Sequence, residues 1–235
     1  MISTVTISKN TITRLIKDIK QLIKEPLHDQ GIYYKHDDDD LLKGYAMIIG
    51  PPDTPYEHGF YLFEFHFTAD YPYSPPKLKF LTQDGVTRFN PNLYRSGKVC
   101  LSLLNTWRGE QWTACQTISS ILLTLVTVFN ESPLLNEPGV SKTHPDFNNY
   151  NDIIMFKNYD IAIHNTIHNI NENNTNKLFN EEIIENYNKN YDTIKNKLNI
   201  LKKNTKKNII HTNLYNMKVN IDYNEIYKKL NKKVK

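Results

Sequence analysis

The chain has 235 residues, of which 39% are hydrophobic and 23% charged, with a formal net charge of +4 and two cysteines. These values fit one large folded domain, or one domain with an appendage, and exclude a disulfide framework. The charge is too small to indicate nucleic-acid binding, and no apolar run approaches the roughly 18 residues that span a bilayer. Since the first residues also lack the pattern of a secretory signal, we expect an intracellular protein, cytoplasmic or nuclear.

Glycine and proline are absent after residue 145, where the sequence becomes rich in Asn, Lys, Ile and Tyr. We therefore predict a core of strands and tight loops over 1–145 and a helical extension over 146–235. Lysines far outnumber acidic residues from Lys195 onward, which is typical of a solvated helical surface or of a docking surface for an acidic partner. The composition is also typical of AT-rich genomes, such as those of large DNA viruses, for which the location would be the host cell.

The first predicted element is an amphipathic helix over 13–24. Its apolar residues recur at helical spacing, and Pro26 ends the pattern. The predicted buried face of this helix consists of Leu15, Ile19, Leu22 and Ile23.

The next part of the chain predicts an antiparallel sheet. Turn-forming residues separate four extended segments, at 31–36, 42–49, 60–67 and 77–81. In the third segment aromatic residues alternate with Glu64 and His66, so those two side chains are expected to point outward. His66 has no partner at metal-ligand spacing, which argues against a metal site. Tyr71-Pro72, before the fourth segment, is a candidate cis peptide bond.

A stretch without clear periodicity, 84–111, comes next and contains Cys100. After it, Thr113-Ala114-Cys115-Gln116 has the form of a capping box, which predicts that a helix begins there. The predicted buried face of that helix consists of Ile118, Ile121, Leu122, Leu125 and Phe129. The sequence has no glycine-rich phosphate loop and no GxSxG or HExxH pattern, so kinases, dinucleotide enzymes and common hydrolases are disfavoured.

The stretch RFNPNLYRSGKVCLSLL, residues 88–104, contains Asn90-Pro91-Asn92, a Ser-Gly turn and then Cys100. It resembles the active-site signature of the ubiquitin-conjugating enzyme family. Other landmarks of the family recur in order across 13–140: the first helix, GPPDTPYEHGFY, YPYSPPK, the tryptophan in QWTACQTISSILL and an SPL turn. The resemblance implies an α+β fold with a four-stranded antiparallel sheet, flanking helices and Cys100 in a shallow groove.

The resemblance also implies a reaction. Cys100 would accept the C-terminal carboxyl of ubiquitin, or of a ubiquitin-like modifier, from the thioester of an ATP-using activating enzyme, and pass it to a substrate lysine or a ubiquitin ligase without a metal or bound cofactor. A thiol suits this chemistry because it is a strong nucleophile and its thioester stays reactive towards amines. Asn92 is by position the family's asparagine, whose amide stabilises the developing oxyanion or only orders the loop.

Tyr94 and Ser132 match positions that line the approach of the incoming lysine in relatives. A lysine is nucleophilic only when neutral, so packing on an aromatic ring and loss of water lower its pKa towards the working range. Many relatives carry Asp at the second position. Ser132 provides no fixed negative charge to orient the amine, although Glu131 is adjacent.

Two departures from the usual family pattern stand out. Asn90 replaces a histidine and is expected to keep a polar contact to the loop backbone. The segments NTWRGEQ at 105–111 and NEPG at 136–139 resemble a minority of large family members, among them the one served by the alternative ubiquitin-activating enzyme. The tail VNIDYNEIYKKL at 219–230 is also similar. The resemblance therefore implies that activating enzyme as a partner, and a second ubiquitin-like modifier as a further cargo.

Contacts with ligases and activating enzymes come, in relatives, from the first helix and two loops. The matching positions here are Arg14, Lys17, Tyr73, Ala114 and Cys115. Each also has a plain structural interpretation: a solvated helix face for Arg14 and Lys17, loop packing for Tyr73, and apolar packing at a helix start for Cys115.

Two alternative functions stay open. A catalytically dead variant would bind ubiquitin on the same fold, but such variants typically lack the cysteine that is present here as Cys100. A protein whose basic tail docks an acidic partner or nucleic acid is the second alternative, although the tail has no arginine and few aromatic-basic clusters. Ubiquitin binding without thioester formation would favour the first, and a salt-sensitive gel shift the second.

Overall fold

The computed structural model describes residues 7–171, 174–205 and 208–234. Its centre is a four-stranded antiparallel sheet in the order β1-β2-β3-β4, which confirms the predicted meander. The strands are β1 (Ile32–His36), β2 (Lys43–Ile49), β3 (Phe60–His66) and β4 (Lys77–Phe80). The Tyr71-Pro72 bond before β4 is cis, as predicted.

Strand β3 buries its aromatic residues and presents one histidine to solvent. Phe63 and Phe65 have no exposed surface, whereas His66 is exposed and its Nε2 lies 2.7 Å from Glu64 Oε1. In the part of the chain that the structure describes, no group of three or more His, Cys, Asp or Glu residues is arranged to hold a metal ion. The exposure of His66 confirms its predicted outward direction.

The first helix, α1 (Lys9–Lys24), begins four residues before the predicted start. Ser8 caps it, because its side chain accepts a hydrogen bond from the Thr11 backbone N–H. Leu15 and Leu22 are buried as predicted. Ile23 is 75% exposed, so its assignment to the buried face was wrong.

The helix that follows the cysteine segment, α2 (Ile118–Val126), begins later than predicted. Thr113–Gln116 instead forms a turn, in which the Gln116 N–H donates to the Thr113 carbonyl at 3.0 Å. The capping box that the helix uses is Thr117 with Ser120. The predicted buried face is confirmed: Ile118, Ile121, Leu122, Leu125 and Phe129 are all buried.

The chain after residue 145 is mostly helical, as predicted. Its first part is an uninterrupted helical run of α3 (Phe147–Lys157), a π-helical segment (Asn158–Asn165) and α4 (Thr166–His168). The later helices are α5 (Asn174–Leu178), α6 (Asn180–Asn204) and α7 (Tyr223–Lys229). The boundary at 145 itself stays a prediction, because these helices pack directly on the core.

A β-hairpin within the extension corrects the all-helical prediction. Its strands are β5 (Asn208–Thr212) and β6 (Met217–Ile221), paired antiparallel from Thr212↔Met217 outward. In β6, Met217, Val219 and Ile221 are buried and alternate with exposed residues. This period-two alternation was a strand signal, but it is short and lies between two helix-forming segments.

The π-helical segment docks on the core through Asn158, which is buried. The Asn158 Oδ1 accepts a hydrogen bond from the Tyr61 hydroxyl at 2.7 Å, and its Nδ2 donates to the Glu57 carbonyl at 2.9 Å. Gly59 allows this approach, since a Cβ atom there would overlap Asn158 Oδ1 and crowd Tyr61 and Ala162. A single amide thus joins the extension to two parts of the core.

Replacing Gly59 with alanine is expected to destabilise the protein by about 1–3 kcal/mol, because overpacking a close contact costs that much. At about 2–4 °C per kcal/mol, the melting temperature should fall by several degrees. Gly59 is not among the glycines with a positive φ, so this loss would come from the close contact and not from backbone strain. A Gly59→Ala protein with the same melting temperature as the parent would contradict the close packing.

Three ion pairs among the described residues join the extension to the core, one of them between Lys157 of α3 and Asp84 at 3.1 Å. Lys35 on β1 pairs with Glu182 near the start of α6, at 2.7 Å, and Glu57 pairs with Lys197 near the end of the same helix. Lys197, a lysine of the basic tail, is therefore paired with the core and is not part of a free surface. In the described ranges no helix combines the length and apolarity that crossing a bilayer requires.

Candidate active site

The active-site loop, residues 88–100, is tied to the sheet and folded back on itself. Gly97, with a φ of +87°, forms its turn, and the Gly97 carbonyl accepts a hydrogen bond from the Phe80 N–H of β4 at 2.7 Å. The Cys100 N–H then donates to the Asn92 carbonyl at 2.9 Å. This backbone bond sets the asparagine and the cysteine side by side.

Asn90, which stands where relatives carry a histidine, is fully buried and makes four hydrogen bonds. Its Nδ2 donates to the Tyr56 hydroxyl at 3.0 Å and to the Val128 carbonyl at 2.8 Å. Its Oδ1 accepts from the Asn92 N–H at 2.9 Å and from Asn136 Nδ2 at 3.2 Å. The expected polar contact to the loop backbone is therefore confirmed.

The side chain of Asn92 is buried and points along the loop. Its Nδ2 donates to the Cys100 carbonyl at 2.7 Å. The interpretation that Asn92 orders the loop is thus supported directly. Its role as an oxyanion donor stays a prediction.

Cys100 itself is only 2% exposed, whereas Cys115 is exposed. Cys100 therefore has little surface accessible to a reagent in this conformation. The exposure of Cys115 shows that its predicted apolar packing at a helix start was wrong, because the helix begins at Ile118 and leaves Cys115 in a surface turn.

A thiol reagent such as DTNB is expected to label Cys115 in the native protein about tenfold faster than Cys100, or more, because access limits the reaction. The Cys115→Ser variant should lose the fast phase, and Cys100→Ser should keep it. Denaturation should release both thiols at once. A fast phase that survives in Cys115→Ser would contradict the burial of Cys100.

Tyr94 lies in the active-site loop, and Ser132 lies in the turn after α2. The Arg88 guanidinium carbon lies 3.4 Å from the centre of the Tyr94 ring and covers one of its faces. Ser132 is half-buried, its backbone N–H donates to Asn130 Oδ1 at 3.0 Å, and Glu131 beside it is exposed. Among the described residues no contact assigns either side chain a role with lysine, so both roles stay predictions.

The predicted ligase-contact residues lie on three segments that are joined to one another. Arg14 on α1 donates to the carbonyls of Ala114 and Gln116, so it is not on a solvated helix face. These bonds also explain why α2 begins late, since both carbonyls are used outside the helix. Arg14 further pairs at 2.9 Å with Asp18, a buried carboxylate.

The proline-rich loop before β4 belongs to the same assembly. The Tyr71 hydroxyl donates to Asp18 Oδ2, and burial, with Asp18 adding to it, raises the pKa of Tyr71. Trp112 Nε1 donates to the Pro72 carbonyl at 2.6 Å. Exposed side chains remain on each segment for a partner: Lys17 on α1, Tyr73, which is 73% exposed, and Cys115. Ligase binding by these residues stays a prediction.

Sequence reasoning missed several residues that support the active-site loop. Arg88 donates from Nε to the Asn90 carbonyl at 3.2 Å and from Nη2 to the Pro91 carbonyl at 2.6 Å. Asn136, the first residue of NEPG, reaches Asn90 from the turn after α2. The NEPG motif was noticed, and it was the signal for Asn136. No local pattern marked Arg88.

Comparison with known proteins agrees with this geometry. The family model described as "Ubiquitin-conjugating enzyme" matches residues 14–153, which is more than half of the chain and includes the whole active-site loop. The chain belongs to the ubiquitin-conjugating enzyme family. The α+β fold and four-stranded sheet that the resemblance implied are those of this family.

The relatives include large members of the family. Ubiquitin-conjugating enzyme E2 Z of Danio rerio is 45% identical over 159 residues, which are 66% of this chain and 48% of that protein. The E2 Z of Homo sapiens is 44% identical over 155 residues, 65% of this chain and 43% of that protein. The solved structure of human Ubiquitin-conjugating enzyme E2 G1 has 31% identity and a TM-score of 0.46, covering 53% of this chain and 97% of its own. This chain spans about half the length of the E2 Z relatives, and the likeness to them confirms the predicted kinship with large members.

Proposed function

We propose that this protein accepts ubiquitin, or a ubiquitin-like modifier, from an activating enzyme as a thioester on Cys100 and transfers it to a lysine or a ligase. The observation that carries the proposal is the hydrogen bond from the Asn92 side chain to the Cys100 carbonyl, inside the segment that matches the family. It sets an acyl-accepting thiol beside the kind of amide that stabilises acyl-transfer intermediates.

Charging exchanges one thioester for another. The Cys100 thiolate attacks the carbonyl carbon of the modifier's C-terminal thioester, and the thiol of the activating enzyme leaves. In discharge, a neutral lysine amine attacks the Cys100 thioester, the C–S bond breaks and the amine's proton passes to solvent. The Asn92 amide has two N–H donors, of which the Cys100 carbonyl takes one, so the second is available to the oxyanion of the intermediate.

On the lysine side we propose Tyr94 and Ser132, with Glu131 as the nearby negative charge. Because the Arg88 guanidinium covers one face of the Tyr94 ring, a lysine stem would pack on the remainder of that ring. A carboxylate that is exposed, as Glu131 is, attracts a protonated lysine more weakly than a buried one would. Dehydration of the amine in the groove would therefore supply most of its activation.

The activating enzyme is proposed to be the alternative one, and a second ubiquitin-like modifier is proposed as a further cargo. The support is the NEPG motif, whose Asn136 contacts Asn90, and the tail at 219–230, which folds as β6 and α7. The likeness to E2 Z over 66% of this chain is further support. The location inside the cell, cytoplasmic or nuclear, stays a prediction.

The test is a charging assay with ATP, ubiquitin and each of the two ubiquitin-activating enzymes, read on non-reducing gels. We expect a thiol-sensitive adduct one modifier larger than the chain, formed with the alternative activating enzyme and absent in Cys100→Ser. An adduct with only the common activating enzyme would contradict the proposed partner. No adduct with either would contradict the conjugating function and favour a binding module.

A further inference from the structure

The tip of the C-terminal hairpin, residues 213–216, lies against the active-site loop. Two adjacent non-glycine residues at this tip, Tyr215 and Asn216, have φ values of +63° and +44°. Such left-handed backbone costs roughly 1–2 kcal/mol per residue and persists only where surrounding contacts impose it. Within the hairpin the Asn216 N–H donates to the Asn213 carbonyl at 3.1 Å, and further contacts that hold the turn are made to the core.

Tyr215 contacts the core through its ring, its hydroxyl and its backbone carbonyl. The ring lies 5.0 Å from the Arg88 guanidinium carbon. The hydroxyl donates a hydrogen bond to Glu137 of NEPG. Burial is the main cause that raises the pKa of Tyr215, and Glu137 raises it further, so the hydroxyl stays protonated and remains a donor. The carbonyl accepts a hydrogen bond from the Arg95 guanidinium. One residue of the extension is therefore held by three core residues, two of them in the active-site loop.

Two of those partners enclose the segment that carries Asn92. Arg88 precedes Asn92 and Arg95 follows it, so the hairpin tip contacts the active-site loop on both sides of Asn92. The Arg88 guanidinium packs against the rings of both Tyr94 and Tyr215. It also donates hydrogen bonds to the carbonyls of Asn90 and Pro91.

Other residues of the hairpin and of α3 also contact Arg88 or the core beside it. The Arg88 N–H lies 3.3 Å from Met217 Sδ at the start of β6, and the Leu214 N–H donates to Asp146 Oδ2 at 2.8 Å. The Tyr150 hydroxyl of α3 donates to the Arg88 carbonyl at 2.7 Å, and its ring lies 5.9 Å from that of Tyr215. Arg88 is thus held on its backbone and its side chain by elements that come after residue 145.

We propose that Tyr215 is a positioning residue for the transfer step: through Arg88 and Arg95 it holds the active-site loop in the geometry that discharge of the Cys100 thioester to a lysine requires. This inference rests on the proposed conjugating function. Discharge is the sensitive step because it needs the Asn92 amide aligned with a developing oxyanion, and a displacement of about 1 Å can cost roughly 10²-fold in such a step. Thioester exchange at Cys100 is expected to depend less on that alignment, because a thiolate is a stronger nucleophile than an amine and one thioester replaces another.

The backbone conformation at the tip allows a clean variant. Glycine adopts a φ of +63° without strain, so Tyr215→Gly removes the side chain and keeps the turn. Tyr215→Phe keeps the ring over Arg88 and loses only the hydroxyl bond to Glu137. The matched control is Tyr227→Ala, since Tyr227 is a tyrosine of the extension whose ring packs under Lys195 and Lys202, at 3.2 and 4.0 Å, outside the active-site loop.

The experiment charges each full-length variant with ubiquitin, stops charging, and follows discharge against lysine concentration and pH, alongside melting temperature. For Tyr215→Gly we expect a maximal discharge rate at least about tenfold lower, with charging, half-saturating lysine concentration and the pH midpoint unchanged. Tyr215→Phe should recover most of the rate, and Tyr227→Ala should match the parent.

Three results would overturn the inference. One is a Tyr215→Gly protein that discharges as fast as the parent. Another is equal loss of charging and discharge with a lower melting temperature, which marks a structural role alone. The third is an equal discharge defect in Tyr227→Ala. A parent protein that does not charge at all would overturn the conjugating function first, and is recognised before any variant is compared.

Discussion

The Cys100→Ser protein is expected to form no thiol-cleavable adduct with ubiquitin. A serine hydroxyl is a much weaker acyl acceptor than a thiol, and any product it forms is an oxygen ester, which resists reducing agents and is cleaved by alkali. The Cys100→Ala protein has no acceptor and should form no adduct of either kind. Denaturing gels of samples with and without reductant, and after alkali treatment, distinguish the three results.

The control for this prediction is the second cysteine. Cys115 is exposed and therefore the more accessible thiol, so Cys115→Ser should charge and discharge like the parent. Both variants remove one sulfur and should melt within a few degrees of the parent. A reducible adduct that persists in Cys100→Ser and disappears in Cys115→Ser would contradict the assignment of the nucleophile.

The Asn92→Ala protein is expected to discharge its thioester to lysine roughly 10²–10³-fold more slowly than the parent, because one donor to the oxyanion is lost. The loss also leaves the Cys100 carbonyl without its side-chain donor, which costs about 1–3 kcal/mol if that carbonyl stays dry. Single-turnover discharge of pre-charged protein measures the first effect, and thermal unfolding measures the second. Charging by the activating enzyme should fall far less than discharge.

Asn220→Ala serves as the control for the loss of an asparagine side chain, since Asn220 is exposed on β6. It should discharge at the parent's rate. If Asn92→Ala discharges within about threefold of the parent, Asn92 does not stabilise the oxyanion. If discharge, charging and stability all fall together, ordering of the loop is its whole role.

The sheet could be predicted from the sequence because its signals are local. The strands have four to seven residues and are separated by clear turns, which mark their positions. In β3 the faces were predicted only in part: His66 is exposed, whereas Leu62, on the same face, is buried. The start of α2 was missed because two capping sequences stand four residues apart, and the choice between them depends on Arg14, about a hundred residues away. The hairpin β5–β6 was missed because its alternation covers only five residues and lies between two helix-forming segments.

The candidate site also has a part that could be predicted from local sequence and a part that could not. Cys100, Asn90 and Asn92 stand in a motif, so their identity could be predicted from the sequence alone. Their supports come from distant parts of the chain: Asn136 reaches Asn90 across 46 residues, and Tyr215 reaches the loop from the extension. Neither contact leaves a periodic signal, because each depends on the final tertiary arrangement. The burial of Cys100 and the exposure of Cys115 likewise needed the structure.

The most direct test is to locate the modifier on the charged protein. The parent is charged with ubiquitin, digested at acid pH without reductant, and analysed by mass spectrometry for the peptide that carries the modifier's C-terminus. We expect a single thioester-linked peptide that contains Cys100. A modifier found on Cys115, only on lysines, or on no peptide at all would contradict the conclusion that Cys100 carries it.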